Sequence, residues 1–233
     1  MIKVENIEVW GFEHAIRGMR NPLNSWERSD SYSTHIEDSE TQETAKFEFF
    51  AGENDLDLMR RLYKTGAEHR KYLRQIFVSM DITAPRFWWI EFDTYKIGTV
   101  SNSCSTMHTI MKKLFTLEDF SFDSAIPFAK DDCESLVEKL NILCDQYLMD
   151  DARIKREFLE NGYEEDGIPT KQEIWRTLIE LLPQSYNQRR TVTMNYENVF
   201  NMIHQRKNHT LSEWRFFVEI LENLPYVKGI AEK

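Results

Sequence analysis

The segment from Asn195 to Arg206 has the length of a helix of about three turns, and one of its faces is unusually polar. At about 100° per residue, Asn195 and Arg206 lie on almost the same side of such a helix. Asn195 is a preferred N-cap residue, so we expect the helix to begin there. Asn198 and Met202 occupy the same face, where a simple amphipathic helix would carry leucine and valine. A row of amides that ends in a guanidinium suits a planar, polar ligand.

The overall composition is that of a globular chain without a membrane span. Of the 233 residues, 41% are hydrophobic and 13% are aromatic, which separates the chain from disordered proteins. The sequence contains no run of about eighteen apolar residues, and its N-terminus lacks the apolar centre of a signal peptide. Cys104, Cys133 and Cys144 follow no regular spacing, which predicts free thiols in a reducing compartment. We therefore expect a cytoplasmic protein that makes no membrane contact.

The charge distribution argues against a nucleic-acid-binding protein. A net charge of −10 repels the phosphates of DNA and RNA. Small anionic ligands remain possible because a local basic pocket can overcome the field of the whole protein. Basic residues do occur in adjacent pairs, at Arg60-Arg61, Arg70-Lys71, Arg189-Arg190 and Arg206-Lys207. His204 and His209 do not have the spacing of a helical metal pair, and with His108 they form no zinc set, so we predict no metal.

Hydrophobic periodicity predicts an α+β fold in a single domain over residues 1–233. Alternating apolar residues predict three strands, at 2–10, 76–82 and 189–194. Helical periodicity and capping residues predict helices at 14–19, 55–65, 84–92, 133–159, 170–182, 195–206 and 212–223. The polar stretch 24–46 is typical of a long loop, and the few glycines exclude a Gly-rich phosphate loop.

The polar helix also resembles the signature of a known protein family. Its pattern of Asn195, Asn201 and Arg206 resembles the C-terminal signature of the flavin-dependent thymidylate synthases, which methylate dUMP with reduced FAD and a folate. In that family the helix begins with Asn, carries a second Asn six residues later and ends with Arg at the eleventh step. The family usually has Arg at the position of Glu197.

A second stretch supports the same resemblance through the order of its elements. Glu68-His69 stands where the family has a Gly-His pair, followed by a strand and a helix opened by Ala84-Pro85. The family motif R-H-R-x-x-S-x-N-E-x-S-x-R-Y then falls without gaps on residues 94–107. The resemblance therefore covers about half the chain, roughly residues 55–110 and 170–217.

The resemblance implies a fold with a central antiparallel sheet flanked by long helices, and a flavin bound between the subunits of a homotetramer. The implied FAD-binding residues are His69, Lys96, Thr99, Asn195 and Asn201. It implies a pyrimidine nucleotide as substrate, one-carbon transfer to its C5 atom, and folate and NADPH as co-substrates. The implied catalytic residues are Arg206 and Cys104, and the implied substrate-binding residues are Glu91, Asn102 and Arg176.

Three positions keep other interpretations open. Thr94, Thr106 and Ile179 stand where the family has arginines that bind the phosphates of FAD and dUMP. A non-catalytic or repurposed nucleotide- or flavin-binding protein on the same scaffold is therefore the alternative hypothesis. An unrelated helical interaction protein, whose Asn-rich helix matches the family by chance, is a third. For single residues, the alternatives are that Asn195 only caps its helix and that Cys104 is an unreactive side chain.

Overall fold

The computed structural model describes residues 2–36 and 46–232. Within these ranges the strands are β1 (Lys3–Trp10), β2 (Tyr32–Ile36), β3 (Lys46–Phe50), β4 (Phe77–Pro85), β5 (Thr99–Ser103) and β6 (Asn187–Asn195). The α-helices are α1 (Phe12–Arg20), α2 (Glu53–Thr65), α3 (Arg86–Phe92), α4 (Thr106–Thr109), α5 (Lys130–Leu148), α6 (Asp151–Glu160), α7 (Lys171–Leu181), α8 (Tyr196–Arg206), α9 (Ser212–Glu222) and α10 (Val227–Ala231).

A four-stranded antiparallel sheet organises the fold, with the strand order β1-β4-β6-β5. In β4 every second side chain is buried, from Val78 through Met80 and Ile82 to Ala84. This period of two is the pattern from which the strand was predicted. The predicted α+β class with an antiparallel sheet is confirmed.

The chain divides into two compact units. The first, which we call the α5–α7 unit, contains Thr83–Asp93 and Asn102–Arg190. The second, the α8 unit, contains the described residues of Ile2–Ile82, Thr94–Ser101 and the segment from Thr191 to the end of the described chain. The assignment of the whole chain to one domain stays a prediction.

The α8 unit has an aromatic core to which α8 and α9 contribute. Tyr196, Met202, Trp214 and Phe217 are fully buried there. A buried ion pair joins α1 to α2 in the same unit, because Arg20 Nε donates to Asp55 Oδ1 at 2.6 Å. The predicted strand 2–10 and helices 14–19, 55–65 and 212–223 all fall on elements of this unit.

The α5–α7 unit has a separate core built from helices and loop aromatics. Leu140 on α5 and Leu178 on α7 are fully buried, and Phe115 and Phe120 pack against them. The predicted single helix over 133–159 is wrong. The chain is extended at Met149, and Asp150 starts α6 by accepting a hydrogen bond from the Arg153 N–H at 2.8 Å.

Two further predictions of local structure differ from the structure. The segment 24–46 is not one loop, because Tyr32 pairs with Phe50 and Thr34 with Glu48 in an antiparallel β2–β3 ladder. Residues 37–45 of that segment lie outside the described residues. Strand β5 was not predicted because its sequence, Thr-Val-Ser-Asn-Ser, has no apolar alternation and most of it is exposed.

Candidate functional site

The polar helix begins where the sequence predicted. The Asn195 side chain accepts a hydrogen bond from the Asn198 N–H at 3.1 Å, which is the N-cap geometry. Both side chains are only 8% exposed, so they lie inside the α8 unit rather than in solvent. A buried amide is stable only when its polar atoms have partners, and the partners of Asn198 identify the rest of the site.

The loop that follows α3 lies along α8 and is held there by Asn198. Its Nδ2 donates to the carbonyl oxygen of Ile97 at 2.6 Å and to Thr99 Oγ1 at 2.8 Å. Gly98 between them has a φ of 75°, and a Cβ atom there would lie 2.2 Å from Asn195 Nδ2. Close approach of backbone to helix therefore requires glycine at this point. The two segments singled out by the resemblance, 94–99 and α8, meet in the structure.

The other end of α8 fixes the Arg206 guanidinium between aromatic side chains. Arg206 Nε donates to the Tyr95 hydroxyl at 3.0 Å, and that hydroxyl donates to Gln205 Oε1 at 2.8 Å. The guanidinium carbon lies 4.8 Å from the centre of the Trp214 ring and 5.7 Å from that of Tyr95. Cation–π contacts of this kind help to hold the guanidinium in place.

Glu197, which replaces a family arginine, binds two arginines from the segment before β4. Its carboxylate forms a short ion pair with Arg74 Nε, accepts from Arg74 Nη2 at 3.3 Å, and lies 3.7 Å from Arg70 Nε. The hydrogen bond from Arg74 to Glu197 raises the pKa of the Arg74 guanidinium. The anionic charge of Glu197 is therefore balanced by cations within the same unit.

A cavity of about 810 Å³ lies within the α8 unit, and we call it the His69 cavity. Its cationic lining residues are Arg20, Arg28, Arg61, Lys71 and Arg74, beside His69 itself. Two acidic residues, Asp57 and Glu68, also line it. Arg20 and Arg61 are paired with Asp55 and Asp57 respectively. The cavity is thus locally basic in an acidic protein.

The remaining predicted cofactor residues of the α8 unit differ in their surroundings. Thr99 is half-buried and bonded to Asn198, whereas Lys96 is exposed in the loop before it. Asn201 is half-buried on α8, six residues after Asn195 and therefore turned by about 120° from the face that carries Asn195 and Arg206. His69 is exposed in the turn before β4, with its Nε2 3.7 Å from Glu68.

Four other predicted site residues belong to the α5–α7 unit. Cys104 is an exposed free thiol just after β5, with its N–H bonded to the Arg189 carbonyl oxygen at 2.9 Å. Asn102 is exposed on β5, and Glu91 is half-buried on α3. Arg176 points to solvent on α7, where its Nε bonds to Glu180 Oε1 at 2.8 Å.

A second cavity, of about 260 Å³, lies within the α5–α7 unit, and we call it the Arg190 cavity. Arg190 stacks on Trp89, with the guanidinium carbon 4.2 Å from the ring centre. The positions of two expected phosphate-binding arginines, Thr106 and Ile179, are both part of its wall. The side chain of Gln188 connects Arg190 to Thr106, since its Oε1 accepts from Arg190 Nε at 3.0 Å and its Nε2 donates to Thr106 Oγ1 at 3.4 Å.

Several of these groups were missed by sequence reasoning. Asn198 was noted in the polar row but given no role, while its contacts make it the main link between α8 and the 94–99 loop. The sequence alone gives no role to Tyr95, and it shows Arg190 only as one member of a basic pair. The partners of both are distant in sequence, so no local pattern could have identified them.

The described part of the chain has neither a candidate metal-binding cluster nor a candidate membrane-spanning helix. Within residues 2–36 and 46–232 no group of three or more His, Cys, Asp and Glu side chains is placed to hold a metal ion. No helix in those same ranges combines the length and the apolar character needed to cross a membrane.

Comparisons with known proteins give a likeness of fold. No protein-family model matches the chain, and no curated protein matches its sequence. Solved structures do match. A crystal structure of thymidylate synthase X from Helicobacter pylori with FAD and dUMP has a TM-score of 0.62 and 17% identity, and the match covers 99% of this chain and 100% of that one.

A second structure of the flavin-dependent enzyme from the same organism, also complexed with FAD and dUMP, has a TM-score of 0.60 and 16% identity. The match covers 98% of this chain and 97% of the other. At such low identity the likeness concerns the fold. The chain therefore has the fold of these two flavin-dependent thymidylate synthase structures along nearly its whole length.

Proposed function

We propose that this chain is a flavin-dependent thymidylate synthase-like protein that catalyses FAD-dependent one-carbon transfer to C5 of a dUMP-like pyrimidine nucleotide. The fold likeness to two structures of an enzyme with FAD and dUMP bound supports this proposal. The observation that carries it is the attachment of the 94–99 loop to α8 through Asn198, which brings together the two segments implied to bind the flavin. A homotetramer, with folate and NADPH as co-substrates, belongs to the same proposal.

The residues of the α8 unit fit a flavin dinucleotide. The His69 cavity, at about 810 Å³, is within the usual size range of cofactor sites. Its Lys71 and Arg28 side chains offer positive charge for a pyrophosphate, and His69 adds a polar edge. The other residues assigned to the flavin are not among those that line this cavity; they are Lys96, Thr99, Asn195 and Asn201. FAD, when bound, would supply the redox chemistry that the side chains of the chain lack.

Arg206 is proposed to act on the nucleotide by electrostatics. The Tyr95 hydroxyl and the rings of Tyr95 and Trp214 hold the guanidinium in one position. A fixed positive charge stabilises negative charge on the carbonyl oxygens of a pyrimidine ring in the enolate-like form whose C5 atom is nucleophilic. Because Arg206 is already oriented, little reorganisation is required during the reaction.

The other proposed substrate contacts come from the α5–α7 unit. Cys104 is accessible as a free thiol, and Glu91 and Asn102 present a carboxylate and an amide. Their assignment to the nucleotide rests on the resemblance. Arg176 is engaged with Glu180 on an exposed face, so a role in substrate binding would require that ion pair to open.

A second candidate function is a binding protein without catalysis on the same scaffold. The Arg176–Glu180 pair favours it, as does the absence of arginine at Thr94, Thr106 and Ile179. Each charge-assisted contact to a phosphate contributes about 1.5–3 kcal/mol, so the loss of two weakens nucleotide binding by two to four orders of magnitude unless other groups replace them.

One series of measurements separates these functions. The purified chain is incubated with FAD and desalted, and its visible absorbance is recorded before and after addition of dUMP. Release of tritium from C5-labelled dUMP is then assayed with folate and NADPH. Retained flavin with tritium release supports the synthase, whereas retained flavin that responds to dUMP without release supports the binding protein. Loss of all flavin on desalting would contradict both.

The role of Arg206 is tested in the same assay. We expect Arg206→Gln to retain flavin but to lower tritium release by about a hundredfold or more, as removal of one preorganised donor does elsewhere. Arg156→Gln, which changes an exposed arginine on α6, is the matched control and is expected to leave release unchanged. Equal release by both variants would remove Arg206 from the mechanism.

A further inference from the structure

The Arg190 cavity contains a guanidinium that is fixed before any ligand binds. The guanidinium carbon of Arg190 lies over Trp89, 4.2 Å from the ring centre. Its Nε donates to Gln188 Oε1 at 3.0 Å, and its Nη1 donates to Asp93 Oδ1 at 2.7 Å. Its side chain is only 16% exposed. Three contacts of different kinds thus define one orientation, so ligand binding would cost little side-chain entropy.

Arg190 keeps hydrogen-bonding capacity in this position. A guanidinium carries five N–H donors in a planar fork, and the bonds to Gln188 and Asp93 use two of them. In the part of the chain that the structure describes, Arg190 has no further hydrogen-bond partner. Arg190 lines the cavity, and the planar fork of a guanidinium matches the geometry of a phosphate or carboxylate.

A second arginine lines the same cavity. Arg86 begins α3 and precedes Trp89 by three residues, which places both on neighbouring positions of one helix face. With Arg86 and Arg190 against Asp93, the ionisable groups of the cavity wall have one excess positive charge. Ile90 and Met107 add apolar surface. This combination selects an organic anion with an apolar or planar body rather than a cation or a neutral hydrocarbon.

We propose that Arg190 and Arg86 form the phosphate-recognition pair for the nucleotide, and this proposal rests on the proposed function. Thr106 and Ile179, where the resemblance expects phosphate-binding arginines, line the same cavity. The two guanidinium groups absent from α4 and α7 are replaced in this cavity by one on β6 and one on α3. The chain therefore retains a phosphate site with different residues, and it discriminates a nucleoside monophosphate from its nucleoside.

Titration calorimetry on the full chain tests this assignment with dUMP, deoxyuridine and inorganic phosphate as probes. We expect the unaltered chain to bind dUMP more tightly than deoxyuridine. Arg190→Gln is expected to weaken dUMP binding by about tenfold to a hundredfold and to leave deoxyuridine binding unchanged. Arg156→Gln on α6 removes an exposed arginine from the same unit and serves as the matched control.

Each outcome decides the proposal. Equal affinity for dUMP and deoxyuridine would overturn it while leaving the proposed function in place. Binding of inorganic phosphate that Arg190→Gln abolishes, without any nucleotide binding, would support the anion site and overturn the proposed function. No binding of any probe would overturn both. If Arg190→Gln does not fold, Arg190→Lys keeps the charge but loses the planar fork, and it must still weaken dUMP selectively.

Discussion

Gly98 is the residue at which the candidate site tolerates least change. Its φ of 75° is unfavourable for a side chain, and a Cβ atom would lie 2.2 Å from the amide nitrogen of Asn195. Asn195 cannot simply rotate away, because its other amide atom caps α8. The conformation of the loop and the start of the helix therefore depend on each other.

We expect Gly98→Ala to destabilise the protein by about 1–3 kcal/mol, since it combines left-handed backbone strain with a clash at the helix cap. Urea unfolding followed by circular dichroism measures this loss, and flavin retention after desalting measures its effect on the site. Gly167→Ala is the matched control, because no atom lies within 4 Å of the added Cβ atom there. A loss of the same size in both variants would show that the loop geometry is not responsible.

The sequence singled out the polar row on α8, but it predicted the contacts of its residues only in part. Asn195 was assigned to both a cap and the flavin, and the cap is present. The amide that binds the 94–99 loop is Asn198, a residue of the polar row to which the sequence assigned no role. Spacing on a helix predicts which side chains share a face, but it does not predict the distant loop against which that face packs.

At the scale of elements, the junction of α1 with α2 depends on one buried carboxylate. Asp55 is fully buried and accepts hydrogen bonds from Arg20, from the hydroxyl groups of Ser29 and Ser31, and from the backbone between them. Burial raises the pKa of Asp55, but the hydrogen bonds from Ser29, Ser31 and Arg20 outweigh it, so the net pKa is lowered. The ionised form therefore stabilises the folded state.

This arrangement predicts a pH dependence of stability. The folded pKa of Asp55 lies below that of an unfolded aspartate, about 3.9, so its contribution is fully present above that pH and is lost as the pH falls through the folded pKa. We expect Asp55→Asn to cost about 3–5 kcal/mol at pH 7, since it leaves Arg20 buried without its charge partner. The difference from the unaltered chain should shrink below about pH 4.

Urea unfolding at a series of pH values measures this difference. Asp57→Asn, two residues along α2, breaks only an exposed pair with Arg61 and is expected to cost less than about 1 kcal/mol at every pH. A cost for Asp55→Asn that does not change with pH would show that its charge is not what stabilises the junction.

The elements that the sequence predicted are those with a strong apolar period. β4 and α8 are buried on a regular face, and their apolar residues recur at the expected spacing. β2 and β5 are polar or exposed, so their pairing is decided by a partner strand that no local pattern reveals. The division of 133–159 into two helices depends on Asp150, an N-cap residue within an otherwise continuous helical pattern.

At the scale of the whole molecule, the net charge is negative while the two candidate cavities are lined by basic residues. The protein carries a net charge of −10, yet both candidate cavities are lined by arginines. Electrostatic attraction to long polyanions is therefore weak, while small anions can still be bound in a local basic environment. Composition predicted the first property. The second required the fold, because the arginines of each cavity come from separate segments of the chain.

The proposed homotetramer gives a prediction for the exposed apolar side chains of the candidate site. Ile97 is 89% exposed on the loop that Asn198 holds against α8, and Val100, at the start of β5, is 65% exposed. An apolar side chain presented by a fixed loop contributes to a subunit interface at little entropic cost. If the site forms between subunits, assembly and flavin binding should be lost together.

We therefore expect Ile97→Glu to dissociate the tetramer while the subunit stays folded, because the Asn198 bond to residue 97 involves only its backbone carbonyl. Analytical ultracentrifugation gives the assembly state, with a subunit mass of 27.9 kDa, and circular dichroism reports folding. Ile97→Leu keeps the apolar surface and should remain tetrameric with flavin retained. If Ile97→Glu stays tetrameric, or loses its tetramer but retains flavin, the loop does not form a flavin site between subunits.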